Sequence, residues 1–242
     1  MEKITIVDRK SGSRVGPISK GEKKRLNEND PIKREVVKDP TLDEGDSPMD
    51  PPEAYQSKLE KVSYDEMHDV LKKLTLEHKV SIKKLNKFEK GLQDFKAGKW
   101  IFDKKISDIF SDFFSFFDSD FLLHNRKEEK VLFPLLERRF RETGEHGTDE
   151  FSQTPIDIFE DDHYQFIQLG VLTFNLIGIS SRLPDEASKN IVSDLAFQNG
   201  MELIEMARLH IFREDETLFQ LANKLISSEE FDEIKIKIEK VK

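Results

Sequence analysis

The chain has 242 residues, enough for one domain of ordinary size plus a tail or for two small domains. Charged and hydrophobic residues each make up 36%, a balance that suits amphipathic helices better than buried strands. The formal charge of -9 argues against a general nucleic-acid binder, and the absence of cysteine excludes disulfides, thiolate metal sites and cysteine catalysis.

Residues 1–57 read as a flexible or extended N-terminal arm. "GEKKRLNENDPIKREVVK" has no clean apolar face, and "DPTLDEGDSPMDPPEAY" packs Pro, Gly, Ser and acids together. The start of the chain turns polar at once and no long apolar span follows, so a cytoplasmic protein with no membrane contact is expected.

Order is expected over residues 58–242. Ser63 and Glu66 form a Ser-x-x-Glu capping pattern ahead of the first helix. Its inward seam is Met67, Leu71, Leu74, His78, Ser81, Leu85, Phe88, Leu92 and Phe95, at alternating steps of four and three that place them on one face. A turn is expected at Gly98. The second helix, from about 102 to 140, carries the seam Ile106, Phe110, Phe113, Phe117, Phe121, His124, Glu128, Val131 and Leu135. Its Phe-rich stretch adds a second apolar stripe at Phe114 and Phe116, for a neighbouring helix or for a partner. A polar loop containing His146 follows. Thr154, Pro155 and Asp157 open the third helix, to about 181. "RLPDE" ends it, and a fourth helix spans about 185 to 224. Ser227 to Glu230 cap a short last helix with Phe231, Ile234 and Ile236. No stretch alternates as a hairpin would. The expected fold is all-α: an up-down-up-down four-helix bundle with a short C-terminal helix.

Of six histidines, four fall one per long helix, on or beside its apolar seam: His78, His124, His163 and His210. The spacing from His78 to His124 is 46 residues and from His163 to His210 is 47; the first pair recurs in the second at 85 and 86. That is an internal repeat of one helical hairpin. His78 and His124 lie about 30 and 39 Å along their helices from the Gly98 turn, so allowing for the turn all four reach a common depth. Glu128 and Glu214 lie one turn beyond His124 and His210, on the same faces. Burying four imidazoles and two carboxylates in an apolar bundle is costly unless they coordinate a metal. Nitrogen and oxygen donors suit iron, manganese or zinc, and two-fold repetition favours two ions, each on two histidines and both sharing the glutamates. A ferritin-like site would need Glu-x-x-His on two helices, and only Glu160-x-x-His163 fits.

"HNRKEEKVLFPLL" from His124 and "HIFREDETLFQLA" from His210, with "LTLEHKV" around His78 and "EDDHYQF" around His163, resemble the hemerythrin-like, HHE cation-binding family over about residues 60–225. The resemblance implies a non-haem pair of irons, oxo- or hydroxo-bridged, that binds or reacts with oxygen, nitric oxide or peroxide in a redox or stress-response role. Its metal residues here would be His78, His124, Glu128, His163, His210 and Glu214. The fifth histidine of oxygen-carrying members would fall at Ile167, which leaves a position open. The pattern is similar to di-iron proteins that repair iron centres, although those carry cysteines in an N-terminal domain. A non-enzymatic oxygen or iron sensor is the alternative, and a metal-free helical interaction protein a further one. Glu160 and Asp162 are candidates to orient an imidazole, with Glu160 on the His163 face. Ser81 would leave room for a ligand. His68 is expected at the surface, and Tyr164 is expected to point away from the site.

Overall fold

The computed structural model describes residues 62–143 and 154–241, together with two short strands near the N-terminus. The chain divides into two units, Met1–Ala54 and Tyr55–Lys242. In the first, β1 (Ile6–Val7) pairs antiparallel with β2 (Arg14–Val15), Ile6 opposite Val15. The sequence pattern predicts no strand there. The rest of the expected arm, and His146, lie outside the described residues.

The second unit is a helical bundle, as the periodicity predicts. Helix α1 spans Asp69–Ala97 and α3 spans Pro155–Ser180. Helix α2 is one continuous run, Lys104–Phe116, Leu122–Lys127 and Phe133–Thr143, joined through π-helical turns at Phe117–Phe121 and Glu128–Leu132. Helix α4 joins Glu186–Arg213 to Phe219–Leu225 through a third π-helical turn, Glu214–Leu218. Helix α5, Ser228–Ile238, closes one end.

Local chemistry sets these boundaries. Thr154 and Asp157 form a capping box with Pro155 in the first turn of α3, and Ser227 does the same with Glu230 for α5. Asp103 and Asp185 accept from the backbone N–H groups of Ile106 and Ser188 and start α2 and α4. The Ser63–Glu66 box is present, but it caps a short 3₁₀ turn, Tyr64–Glu66. Helix α1 is capped by His68, whose ring accepts from Val70 N–H at 3.3 Å and stacks on Phe231 with centroids 4.3 Å apart. His68 is thus a half-buried cap and not the surface residue expected. The α1–α2 turn differs too. Gly98 has φ of -78°, and the left-handed residues are Lys99 (55°) and Trp100 (62°). Trp100 is held there by packing on Phe95, centroids 5.2 Å apart.

The core has two parts. One fills the α1–α2 turn end, with Leu85, Phe88, Leu92, Phe95, Phe110, Phe113 and Leu203. The other, at the α5 end, holds Leu71, Leu74, Leu132, Phe133, Leu136, Phe140, Phe219 and Phe231. Phe114 and Phe116 are buried, Phe114 against Phe88 and Phe174, so the second stripe packs within the bundle. Gly170 lets the Phe117 ring lie against α3, since a Cβ there would sit 2.6 Å from it. In α5, Phe231, Ile234 and Ile238 are buried, whereas Ile236 is exposed. Among the described residues no helix is long and apolar enough to cross a membrane.

Candidate metal centre

The four seam histidines fall in the layer between the two core regions, one from each long helix. His78, His124, His163 and His210 are all buried, and so are Glu128 and Glu214, each 0% exposed. The imidazoles face one another in pairs through Nε2. His78 and His124 approach to 2.9 Å, and His163 and His210 to 3.0 Å. Each pair is one half of the site.

The two carboxylates join the halves. Glu128 places one oxygen 3.3 Å from His124 Nε2 and the other 3.6 Å from His163 Nε2. Glu214 places one oxygen 3.1 Å from His78 Nε2 and the other 3.2 Å from His210 Nε2. Two sets of potential ligand atoms result: His78, His124, Glu128 and Glu214, and Glu128, His163, His210 and Glu214. The atoms within each set lie within 4.8 Å of one another. The structure therefore brings together all six residues that the sequence singles out.

Four further carboxylates surround the imidazoles, one on each Nδ1. Glu77 holds His124 at 2.8 Å and Asp215 holds His78 at 2.8 Å. Glu129 holds His163 at 2.9 Å and Asp162 holds His210 at 3.1 Å. A carboxylate on Nδ1 makes that nitrogen the donor and turns the Nε2 lone pair inward. The sequence points to Glu160 for this role. Glu160 instead lies exposed, and Asp162 serves the histidine of α4 rather than its own neighbour His163. The apolar seams do not single out Glu77, Glu129 or Asp215, yet the repeat carries a signal for them. An acid precedes His78 and His163, and an acid follows Glu128 and Glu214. Lys127 completes one arm of the shell, 2.7 Å from Glu77, and Arg213 stands 3.7 Å from Asp162 in the equivalent place.

Packing fixes the rings. Phe219 stacks on His78 at 5.3 Å and 6°, and Phe133 stacks on His163 at 5.5 Å and 19°. These are the Phe residues of the two Leu-Phe pairs in the repeat, so each hairpin supplies the ring that steadies the other's histidine. The π turns start at Glu128 and Glu214 themselves. Such turns insert one residue into the helix and often mark functional sites. Ser81 is buried, with its hydroxyl donating to the Glu77 carbonyl at 3.0 Å. Tyr164 and Ile167 are exposed.

The charge balance fits a cation. With Nδ1–H given to a carboxylate, two neutral imidazoles would oppose lone pairs at about 3 Å, which is repulsive unless a proton or metal lies between. The Glu128 and Glu214 oxygens are buried and none is aligned for a hydrogen bond. Without a metal, protons fill the gap. Burial disfavours a charged His78, but Asp215 and Glu214 outweigh it and raise the imidazole to about 10. His124 rises to about 9, burial being overcome by Glu128 and Glu77. His210 rises to about 9 against burial through Glu214 and Asp162. Burial would raise Glu77, but His124 and Lys127 bring it down to about 2. Orphaned buried oxygens and facing nitrogens are a donor set that could hold a metal ion.

A four-helix bundle with a buried layer of imidazoles joined by two carboxylates is a metal-binding helical bundle. The hemerythrin HHE cation-binding domain model matches residues 69–222, and the chain belongs to that family. No curated protein sequence matches it.

Proposed function

We propose that the centre holds two iron ions, one on His78 and His124 and one on His163 and His210, with Glu128 and Glu214 shared between them. The observation that carries this reading is the splitting of each carboxylate's two oxygens between the two halves. All-nitrogen-and-oxygen donors suit iron, with manganese and zinc as competitors. Bound there, a redox-active pair would supply changes of oxidation state and a point of attachment for a small ligand.

The residues of the chain do the rest. The outer carboxylates hold each Nε2 inward. The stacked phenylalanines keep the rings from turning. Burial of the six donors, each at most 4% exposed, favours a reactant of a few atoms, which supports oxygen, nitric oxide or peroxide in a redox or stress-response role.

The test is metal analysis of the full chain purified without chelator. About two irons per chain are expected, and a fully folded, metal-free protein would overturn the reading. Adding peroxide or nitric oxide to the iron-loaded chain then separates repeated turnover by an enzyme from stoichiometric uptake by a sensor or carrier.

A further inference from the structure

Helix α3 carries no charged residue from 164 to 181, in a chain that is 36% charged. Its inner face is accounted for by the core. Its outer face exposes the amides Gln165, Gln168 and Asn175, but between them runs an apolar stripe. Tyr164, Ile167, Val171 and Phe174 are 63%, 47%, 53% and 57% exposed. With Gly178 they are spaced by three and four, so they form one straight stripe on the helix. Leu172 and Ile179 extend the apolar surface on its flank.

We propose that this stripe is the interface of a two-fold symmetric dimer, with α3 of one chain lying antiparallel on α3 of a second copy. Three features point to the chain itself as occupant. The stripe lacks charge of either sign, so it matches a surface equally uncharged, and a two-fold contact sets the patch against its own copy. The stripe is also sterically self-complementary. Val171 lies midway between Tyr164 and Gly178, so an axis at Val171 sets the most exposed ring of each stripe over the glycine of the other. Space is open there, since nothing lies within 4 Å of a Cβ built on Gly178. The Asn175 amide beside the stripe is engaged within its own helix, donating a hydrogen bond to the Val171 carbonyl at 2.8 Å.

The area is sufficient but modest. Four side chains that are 47–63% exposed on each copy make a small contact, at the lower edge of stable interfaces. A micromolar dimer is expected. The face is remote in chemistry from the metal centre, so the dimer does not rest on the metal reading.

The full-length, metal-loaded chain is tested by sedimentation equilibrium at tens of micromolar. A dimer is expected, and Val171→Glu should weaken it at least tenfold with helix and metal content unchanged, because Val171 is exposed and sits on the axis, so that two desolvated carboxylates would meet there. Val171→Cys gives a second measurement that needs no disruptive change. The chain has no other cysteine, so mild oxidation should yield a symmetric covalent dimer. A monomer at about 100 µM that also fails to cross-link through Val171→Cys would overturn the proposal. So would a dimer that Val171→Glu leaves intact, or binding of the face to neutral lipid vesicles with no self-association.

Discussion

Glu77 is the chain neighbour of His78, yet its carboxylate holds His124 on the adjacent helix, 2.8 Å from Nδ1. The second hairpin repeats the arrangement, with Asp162 beside His163 but bound to His210. The carboxylates that follow the two glutamates close the ring, Asp215 on His78 and Glu129 on His163. Each histidine is thus oriented by a different helix from its own, which couples the geometry of the centre to assembly of the whole bundle.

This cross-bracing sets the first prediction. Glu77→Ala frees the His124 ring and leaves Lys127 without its partner. Metal affinity should fall about 10–100-fold, as for other outer partners of histidine ligands. Asp162→Ala should act alike on His210, while Glu160→Ala, which removes an exposed carboxylate, should leave affinity within about twofold. Competition titration with a chelator of known affinity measures all three.

The two halves predict a stoichiometry. Replacing His163 and His210 together by Ala removes both imidazoles of one half and leaves His78, His124 and the two carboxylates in place. Bound metal should drop from two per chain to one. Replacing Glu128 and Glu214 together should abolish binding of both. If the histidine pair variant still binds two ions, the assignment of ions to halves is wrong.

The pH behaviour of the metal-free protein follows from the raised imidazoles. His78, His124 and His210 hold protons in the fold up to about 10, 9 and 9, against 6.5 for an ordinary histidine. Between these limits the folded state binds more protons than the unfolded one, so stability must fall as pH rises. The contribution is complete below 6.5 and lost through 9 to 10. Chelator-stripped protein should lose on the order of a few kcal/mol between pH 7 and pH 10. Metal displaces the same protons, so the loaded protein should show a flatter Tm profile, and metal affinity should rise over that window. Equal Tm profiles for the two forms would count against metal at these histidines.

Much of this was legible because two periodicities coincide. The 3.6-residue helical period places the seam residues, and the repeat at 85 and 86 residues matches His78 with His163 and His124 with His210. Whatever depends on contact between helices was not. That Glu77 belongs to His124 is a tertiary fact, although the repeated acids advertise an outer shell. His68 looked like a surface residue because capping depends on where α1 begins, and the ring of Phe231 that covers it comes from α5. The π turns have no marker in sequence, and the short β1–β2 pair falls where composition suggested an irregular arm.

The π turn at Glu128–Leu132 has a consequence that can be measured in the core. The regular seam runs from Glu128 to Val131 and Leu135. The inserted residue shifts the phase, so that beyond the turn the fully buried line is Leu132, Leu136 and Phe140, each 0% exposed, while Leu135 is only half-buried. Leu132→Ala should therefore cost about 2–5 kcal/mol, the range for truncating a fully buried leucine, and Leu135→Ala well under half of that. Denaturant unfolding of the metal-free chain gives both values. A regular α-helix through this segment would reverse the order, because Leu135 would then return to the seam and Leu132 would leave it. The same shift follows Glu214, where Leu218 and Phe219 are both buried. Leu218→Ala should accordingly resemble Leu132→Ala, and Phe219→Ala should add loss of metal affinity, because its ring is the one stacked on His78.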